Sequence, residues 1–313
     1  EITRLNGIYV SMLEKAGVTL FTGHASLTGP RSVRITPTAL APDAPTREIT
    51  AERIVIATGS TPTRPSFPGA ELAITSDEAF ALPQCPKRVA LIGAGYIGIE
   101  FAGIFAGLGA EAALIYRHDL PLRGFDEDMR TGLSEAITVR GIAQHRNASP
   151  ESLTRDGTDL LLRLSTGETL RVDCVFLATG RHPKTAALGL EQAGIKTAQN
   201  GRIVVDGLGE TSCPGIYAIG DVTDRINLTP VAIAEGHTLA DQLFGTAPPR
   251  QWDFATTPKA VFFSPPLACT GLTEEEAARS GAVDIYLTRF TPMRHTLGGR
   301  RERKTVMKLV VDQ

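Results

Sequence analysis

Three glycines and two arginines carry the clearest chemistry in this chain. The run Gly93-Ala94-Gly95-Tyr96-Ile97-Gly98-Ile99-Glu100 directly follows the apolar stretch Arg88-Val-Ala-Leu-Ile92 and precedes a long apolar segment. A strand, a tight glycine turn and a helix in that order let a pyrophosphate sit against the helix N-terminus. About 20 residues further on, folds that bind NAD(H) carry an acidic residue for the ribose hydroxyls. Here that place holds Arg117, with Arg123 shortly beyond it. A carboxylate would repel a 2′-phosphate, whereas guanidiniums pair with it through charge-assisted, fork-shaped hydrogen bonds. The expected ligand is therefore NADPH rather than NADH. The plainer alternatives are a strand-turn-helix that binds nothing and a pair of solvated surface arginines.

A second group of residues points to a second ligand. Ile216-Tyr-Ala-Ile-Gly-Asp221 is a short apolar strand that delivers Asp221 at its carboxyl end, where open α/β sheets bind ligands. A helix is expected next, with Thr229 at its N-cap, Pro230 at N1 and Gly245 at C′. Its positive end would face whatever Asp221 holds. That suits a polyhydroxylated ligand that gains negative charge on reduction, as a flavin does. Taken alone, Asp221 reads equally as a turn residue. The tripeptide Ala-Thr-Gly ends a strand-like run twice, at 57–59 and at 178–180.

The elements that must position these residues follow from periodicity and punctuation. Ile2, Leu5, Ile8, Tyr9, Met12 and Leu13 share one face of a helix over 2–16, which Gly17 ends. Strand-like runs over 18–21, 32–36 and 48–57 suggest an antiparallel meander. Thr75-Ser-Asp-Glu78 is a cap-like helix start. Asp126 caps a helix running to about Arg140, which Gly141 stops. Asp156-Gly157 and Thr166-Gly167 mark hairpins, and 172–177 reads as a buried strand. From residue 251 the texture becomes antiparallel α+β: strands over 259–263, 283–290 and 305–311, and a helix over 274–280. Proline and glycine cluster at 59–69 and 246–258, the candidate linkers.

Bulk properties set loose bounds. A length of 313 residues allows two or three domains, and 42% hydrophobic residues is ordinary for a globular chain. The net charge of −2 suggests neither a nucleic-acid surface nor a polybasic membrane patch. Residues 89–116 are apolar and contain Gly103-Ile-Phe-Ala-Gly107, but Glu100, Glu111 and many glycines argue against a membrane span. Cys85, Cys174, Cys213 and Cys269 are widely separated, without the close spacing of a redox dithiol or a zinc knuckle. Scattered single cysteines suit a reducing compartment.

Together these residues resemble a family. Gly93-Ala-Gly-Tyr-Ile-Gly-Ile-Glu100, Ala178-Thr-Gly-Arg181, Tyr217-Ala-Ile-Gly-Asp221 and Leu228-Thr-Pro-Val-Ala-Ile-Ala-Glu-Gly236 look like the flavin-dependent pyridine nucleotide–disulfide oxidoreductases. Arg4-Leu-Asn-Gly-Ile-Tyr9, Tyr116-Arg-His-Asp-Leu-Pro-Leu-Arg-Gly-Phe-Asp126 and Phe290-Thr-Pro-Met-Arg-His295 resemble its glutathione reductase branch. The likeness covers essentially the whole chain. It implies an α/β fold: a remnant of an FAD-binding domain at 1–60, an NADPH-binding Rossmann-like domain at 61–183, a returning FAD and central segment at 184–250, and part of an α+β dimerisation domain at 251–313. It also implies a cytoplasmic homodimer that binds neither nucleic acid nor membrane and needs no metal. The family's amino-terminal FAD fingerprint, its CxxxxC redox disulfide and the partner-donated His-Glu pair have no match in these residues. The resemblance, with the absence of an initial Met, implies an internal piece of a longer protein that cannot complete the reaction alone.

The same resemblance assigns roles residue by residue. It implies hydride transfer from NADPH to FAD, then to a redox disulfide and on to glutathione disulfide. Tyr96 matches the ring that covers the nicotinamide site, and Glu100 a carboxylate beside the nicotinamide amide; the alternative for Tyr96 is a helix-face core tyrosine. Gly93, Ala94, Gly95, Ile97, Gly98, Arg117 and Arg123 match the dinucleotide site. Gly180 and Ala260 match positions whose backbone approaches NADPH. Ala25, Asp221 and Thr229 match FAD contacts. For Ala25, Gly180 and Ala260, simple tight packing is an equal reading. Tyr9 matches a glutathione-contacting tyrosine, and the alternative is a core residue of its helix. His237 stands where the family often has an arginine for a glutathione carboxylate, a departure that makes anion binding weaker and pH-dependent. Related substrates (trypanothione, mycothione, mercuric ion) and a dithiol-free nucleotide-binding paralogue stay open as alternatives.

Overall fold

The structure, a computed structural model, describes residues 1–246, 253–301 and 303–313. Part of the candidate linker at 246–258, including Pro248 and Pro249, and the expected boundary at 250/251 lie outside the described residues. The chain divides into two compact units: Glu1–Thr61 with His182–Trp252, and Pro62–Arg181 with Asp253–Gln313.

The second unit is built on a parallel sheet of four strands, in the order Cys174–Leu177, Arg88–Ile92, Glu111–Ile115, Ala143–His145. Residues alternate between its faces, as strand geometry requires. Val89, Leu91, Leu114 and Phe176 face the helices Tyr96–Gly107 and Glu127–Val139, packing on Ile99, Phe101, Phe105, Leu133 and Ile137. Ala90, Ile92, Ile115, Val175 and Leu177 face an antiparallel sheet, meeting Leu153, Leu160, Leu162 and Leu164. That sheet runs Thr169–Val172, Asp159–Leu164, Pro150–Asp156, with left-handed Gly157 and Gly167 at its turns, as the sequence suggests. Leu91, Leu114 and Phe176 are fully buried, and each contributes roughly 2 kcal/mol from burial. The expected capping box closes: Thr75 accepts from Asp77, and Glu78 reaches back to the Thr75 amide. Asp126 caps Glu127–Val139.

Asp253–Gln313 belongs to this same unit. It contributes the antiparallel pair Lys259–Val261 and Leu267–Cys269, the helix Glu274–Ala278, and the hairpin Val283–Phe290 with Thr305–Asp312. Val261 and Phe263 enter the helix-side core.

The first unit holds the helix Ile2–Lys15, a three-stranded antiparallel meander, the helix Thr229–Phe244, and a parallel pair of Ile54–Ile56 with Ile216–Ala218. Its core gathers Leu27, Ile56, Leu190, Ile203, Ile216 and Val222. Two strand expectations are corrected here. Residues 18–21 are irregular, and the first strand is His24–Gly29: the turn at 30–31 pairs Ser32–Thr36 with those residues, so the apolar run before them falls outside the ladder. The run 48–57 is not one strand. Arg47–Thr50 completes the meander, and Ile54–Ile56 leaves it for its parallel partner. Among the described residues, no helix is long and apolar enough to cross a membrane.

Candidate functional site

The three glycines do different work. Gly93 has φ 109°, and a Cβ there would stand 2.2 Å from the Ala178 carbonyl oxygen. A Cβ on Gly98 would stand 2.0 Å from the Gly93 carbonyl oxygen. Both glycines are demanded by packing: they let the turn fold onto the helix and onto the end of the neighbouring strand. Gly95 is unlike them. Its φ is an ordinary −74°, and a Cβ there would meet nothing within 4 Å. It is the N-cap of Tyr96–Gly107, without a side-chain cap. The helix N-terminus thus opens onto free space, the arrangement an anionic group needs. Ile97 packs against the helix-side core and Ala94 lends its carbonyl to the next loop.

That loop carries the arginines. The Leu122 amide donates to the Ala94 carbonyl at 2.8 Å. Leu122 adopts φ 54° and is buried in the core. The hydrogen bond fastens the 117–123 segment to the glycine turn. Arg117 and Arg123 are both exposed, and among the described residues neither has an ion-pair partner. Two uncompensated guanidiniums on a loop bonded to an open helix N-terminus make a strongly anion-attracting surface.

The remaining dinucleotide candidates lie in the same unit. Tyr96 is the first residue of the helix, half-buried against the core. Glu100 Oε1 accepts from the Phe262 amide at 2.9 Å, two residues after Ala260. Ala260 itself is exposed in its strand, opposite Ala268. Gly180 has φ 117°, open space at its Cβ position, and a carbonyl that accepts from the Thr63 amide.

The first unit gathers the flavin-side candidates. Asp221 lies in the 3-10 turn Gly220–Thr223 at the end of the strand Ile216–Ala218, and its Oδ2 accepts from Ser60 Oγ at 2.7 Å. Gly220 has φ 70°, and its amide donates to Glu235 Oε2 at 2.6 Å. Glu235 is buried and paired with Arg225 at 2.9 Å. Sequence reasoning passed over Ser60, Arg225 and Glu235. A carboxylate inside an apolar helix stretch was the available signal, because it is costly to bury unpaired. Thr229 is not the N-cap: Leu228 is, and Thr229 is the first helical residue, with Pro230 second. The extended backbone of Leu228 (φ −133°, ψ 135°) makes it the cap, so the helix starts one residue earlier than the cap chemistry of threonine suggests. Gly245 ends the helix with φ −82° rather than a left-handed turn. Ala25 is exposed and pairs with Ile35. Tyr9 is 65% exposed, so in the described residues it is no core side chain. His237 is exposed on its helix.

Residues 1–236 match the family of pyridine nucleotide-disulphide oxidoreductases, and residues 257–313 match the dimerisation domain of that family. The whole chain is 45% identical to glutathione reductase of Burkholderia cepacia, covering 67% of it, and 43% identical to glutathione reductase of Nostoc sp., covering 69%. It is also 44% identical over 268 residues to trypanothione reductase of Trypanosoma congolense, covering 84% of this chain and 54% of that one. Among solved structures, the HOCl-induced flavoprotein disulfide reductase RclA of Escherichia coli, in its Cu(II) complex, is 30% identical with a TM-score of 0.85, covering 95% of this chain and 66% of that one. The chain thus spans about two thirds of the length of several of these relatives.

Proposed function

The chain belongs to the pyridine nucleotide–disulphide oxidoreductases, in the glutathione reductase branch, and we propose that it forms the electron-input part of an NADPH-dependent, FAD-containing reductase of glutathione disulfide. The observation that carries the NADPH assignment is the unpaired Arg117 and Arg123 on a loop hydrogen-bonded to Ala94. In this reading Gly93–Gly98 and the N-terminus of Tyr96–Gly107 hold the pyrophosphate, with the space at Gly95 left for it. The two arginines take the 2′-phosphate. Tyr96 covers the nicotinamide position, Glu100 lies beside the amide, and Gly180 and Ala260 approach with backbone.

On the flavin side, Asp221, fixed by Ser60, accepts from the ribityl or pyrophosphate region. Thr229 and its helix face the flavin ring, and Ala25 contacts it through backbone. When bound, NADPH would supply a hydride whose two electrons FAD would pass on to a disulfide. Tyr9 and His237 contact glutathione disulfide. The segments 1–60, 61–183, 184–250 and 251–313 serve as FAD, NADPH, returning FAD and dimerisation parts of a cytoplasmic homodimer. A second reading keeps the chemistry and changes the disulfide to one of the trypanothione type; the likeness to trypanothione reductase and His237 favour it.

The test is Arg117→Glu in the full-length, FAD-loaded enzyme. Replacing an attractive charge by a repulsive one at a 2′-phosphate raises the KM for NADPH on the order of a hundredfold and leaves that for NADH within about twofold. Equal effects on both nucleotides would remove the 2′-phosphate role.

A further inference from the structure

We propose that Arg130 is a positioning residue for the 2′-phosphate loop, holding Arg117 and Arg123 in their binding geometry without touching the nucleotide. The proposal rests on the NADPH reading above. Arg130 is half-buried, near the start of the helix Glu127–Val139. Its Nε donates to the Pro121 carbonyl at 2.7 Å and its Nη2 to the Leu120 carbonyl at 2.9 Å. These two carbonyls lie midway between the arginines. Among the described residues no carboxylate pairs with Arg130, so its guanidinium is committed to the loop backbone.

The loop needs such a brace. Leu122 sits in the left-handed region at φ 54°, which a leucine adopts only where its surroundings enforce it. Three restraints act there: the buried Leu122 side chain, the Leu122–Ala94 hydrogen bond, and the Arg130 fork on the two preceding carbonyls. Arg130 has an electrostatic effect as well. It occupies two carbonyl oxygens whose partial negative charge opposes phosphate, and adds a positive charge behind the loop. A planar guanidinium can serve both carbonyls at once; a lysine ammonium lacks that fixed fork.

Arg130→Lys and Arg130→Gln in the full-length, FAD-loaded enzyme test this, each also in the Arg117→Ala/Arg123→Ala background. Steady-state kinetics are measured with NADPH and with NADH. A loosened loop raises the KM for NADPH on the order of tenfold for Gln and less for Lys, with kcat and the KM for NADH unchanged. In the double-alanine background the effect of Arg130→Gln disappears, because the groups it positions are gone. An unchanged NADPH-to-NADH ratio of KM values would overturn the proposal. So would an equal rise for both nucleotides, or an effect of the same size in the double-alanine background. If the Gln variant does not fold, the Lys variant decides by the same criteria. If Arg117→Ala/Arg123→Ala itself leaves the ratio unchanged, the NADPH reading fails, an outcome distinct from failure of the Arg130 variants alone.

Discussion

The carbonyl oxygen of Ala178 stands 2.2 Å from where a Cβ on Gly93 would be. The strand that follows the antiparallel sheet therefore closes directly over the first glycine of the turn. Gly95, two residues on, faces nothing. Substitution separates the two roles. Gly93→Ala should cost about 3 kcal/mol, from a left-handed φ and a backbone clash together. Gly95→Ala should leave stability within about 0.5 kcal/mol and weaken NADPH binding on the order of tenfold, because only the ligand needs that space. Chemical denaturation and nucleotide titration of both variants check this. A Gly95→Ala protein that binds NADPH normally would mean that the space is not the pyrophosphate site.

A second prediction concerns Lys308. Its ammonium lies 2.9 Å from Asp126 and 2.6 Å from Asp128, and Glu274 is also a partner. Both Lys308 and Asp126 are almost fully buried, at 6% and 11% side-chain exposure. Burial alone would lower the Lys308 pKa, but its hydrogen bonds to Asp128, Glu274 and Asp126 outweigh it and raise the value. Burial pushes the Asp126 pKa up, and the Lys308 and Glu274 hydrogen bonds more than reverse this, leaving it lowered. Lys308→Met strands the carboxylates and should destabilise the unit by about 3 kcal/mol.

The pH dependence follows from the signs. A lowered Asp126 pKa gives stability that is present above its unfolded value near about 4 and lost as pH falls through the folded value. A raised Lys308 pKa gives stability that is present below its unfolded value near about 10 and lost as pH rises through the folded value. The deficit of the Met variant should therefore be full between about pH 5 and 9 and shrink below about pH 4. Urea denaturation across that range measures it. A deficit independent of pH would point to lost packing instead.

Thiol chemistry gives a third prediction. All four cysteines are free; Cys85 is exposed and Cys174 and Cys213 are buried. Burial, reinforced by the Asp173 charge, pushes the Cys174 thiol up to about 11, so it stays a thiol at neutral pH. In the native chain a maleimide should label Cys85 within minutes and leave Cys174 and Cys213 unmodified until denaturant is added. Mass spectrometry of the labelled peptides reads the result. Fast labelling of Cys174 would contradict its burial.

The turn and arginine loop were legible in the sequence because their chemistry is local. Gly98 against the Gly93 carbonyl, Thr75 with Glu78, and Asp126 as the cap on the Asp128 amide each act within a few residues of themselves. The partner of Glu100 was not legible: it is the amide of Phe262, and any backbone amide serves equally well as a donor. Nor was the Lys308 cluster, whose charges are separated in sequence by most of the second unit. The start of Thr229–Phe244 was misplaced by one residue because threonine suits both the cap and the first turn, and the extended backbone at Leu228 decides between them. Ser60 and Glu235 fix the Asp221 turn through contacts that only the folded chain brings about.

We propose that this chain takes electrons from NADPH for a glutathione disulfide reductase. The most direct test is steady-state turnover of the full-length, FAD-loaded enzyme with glutathione disulfide, comparing NADPH with NADH and glutathione disulfide with trypanothione disulfide and mercuric ion. Turnover with glutathione disulfide is expected at a kcat/KM for NADPH at least about a hundredfold above that for NADH, the scale of two charge-assisted phosphate contacts. Oxidation of NADPH by mercuric ion or trypanothione disulfide but not by glutathione disulfide, or equal use of the two nucleotides, would contradict it.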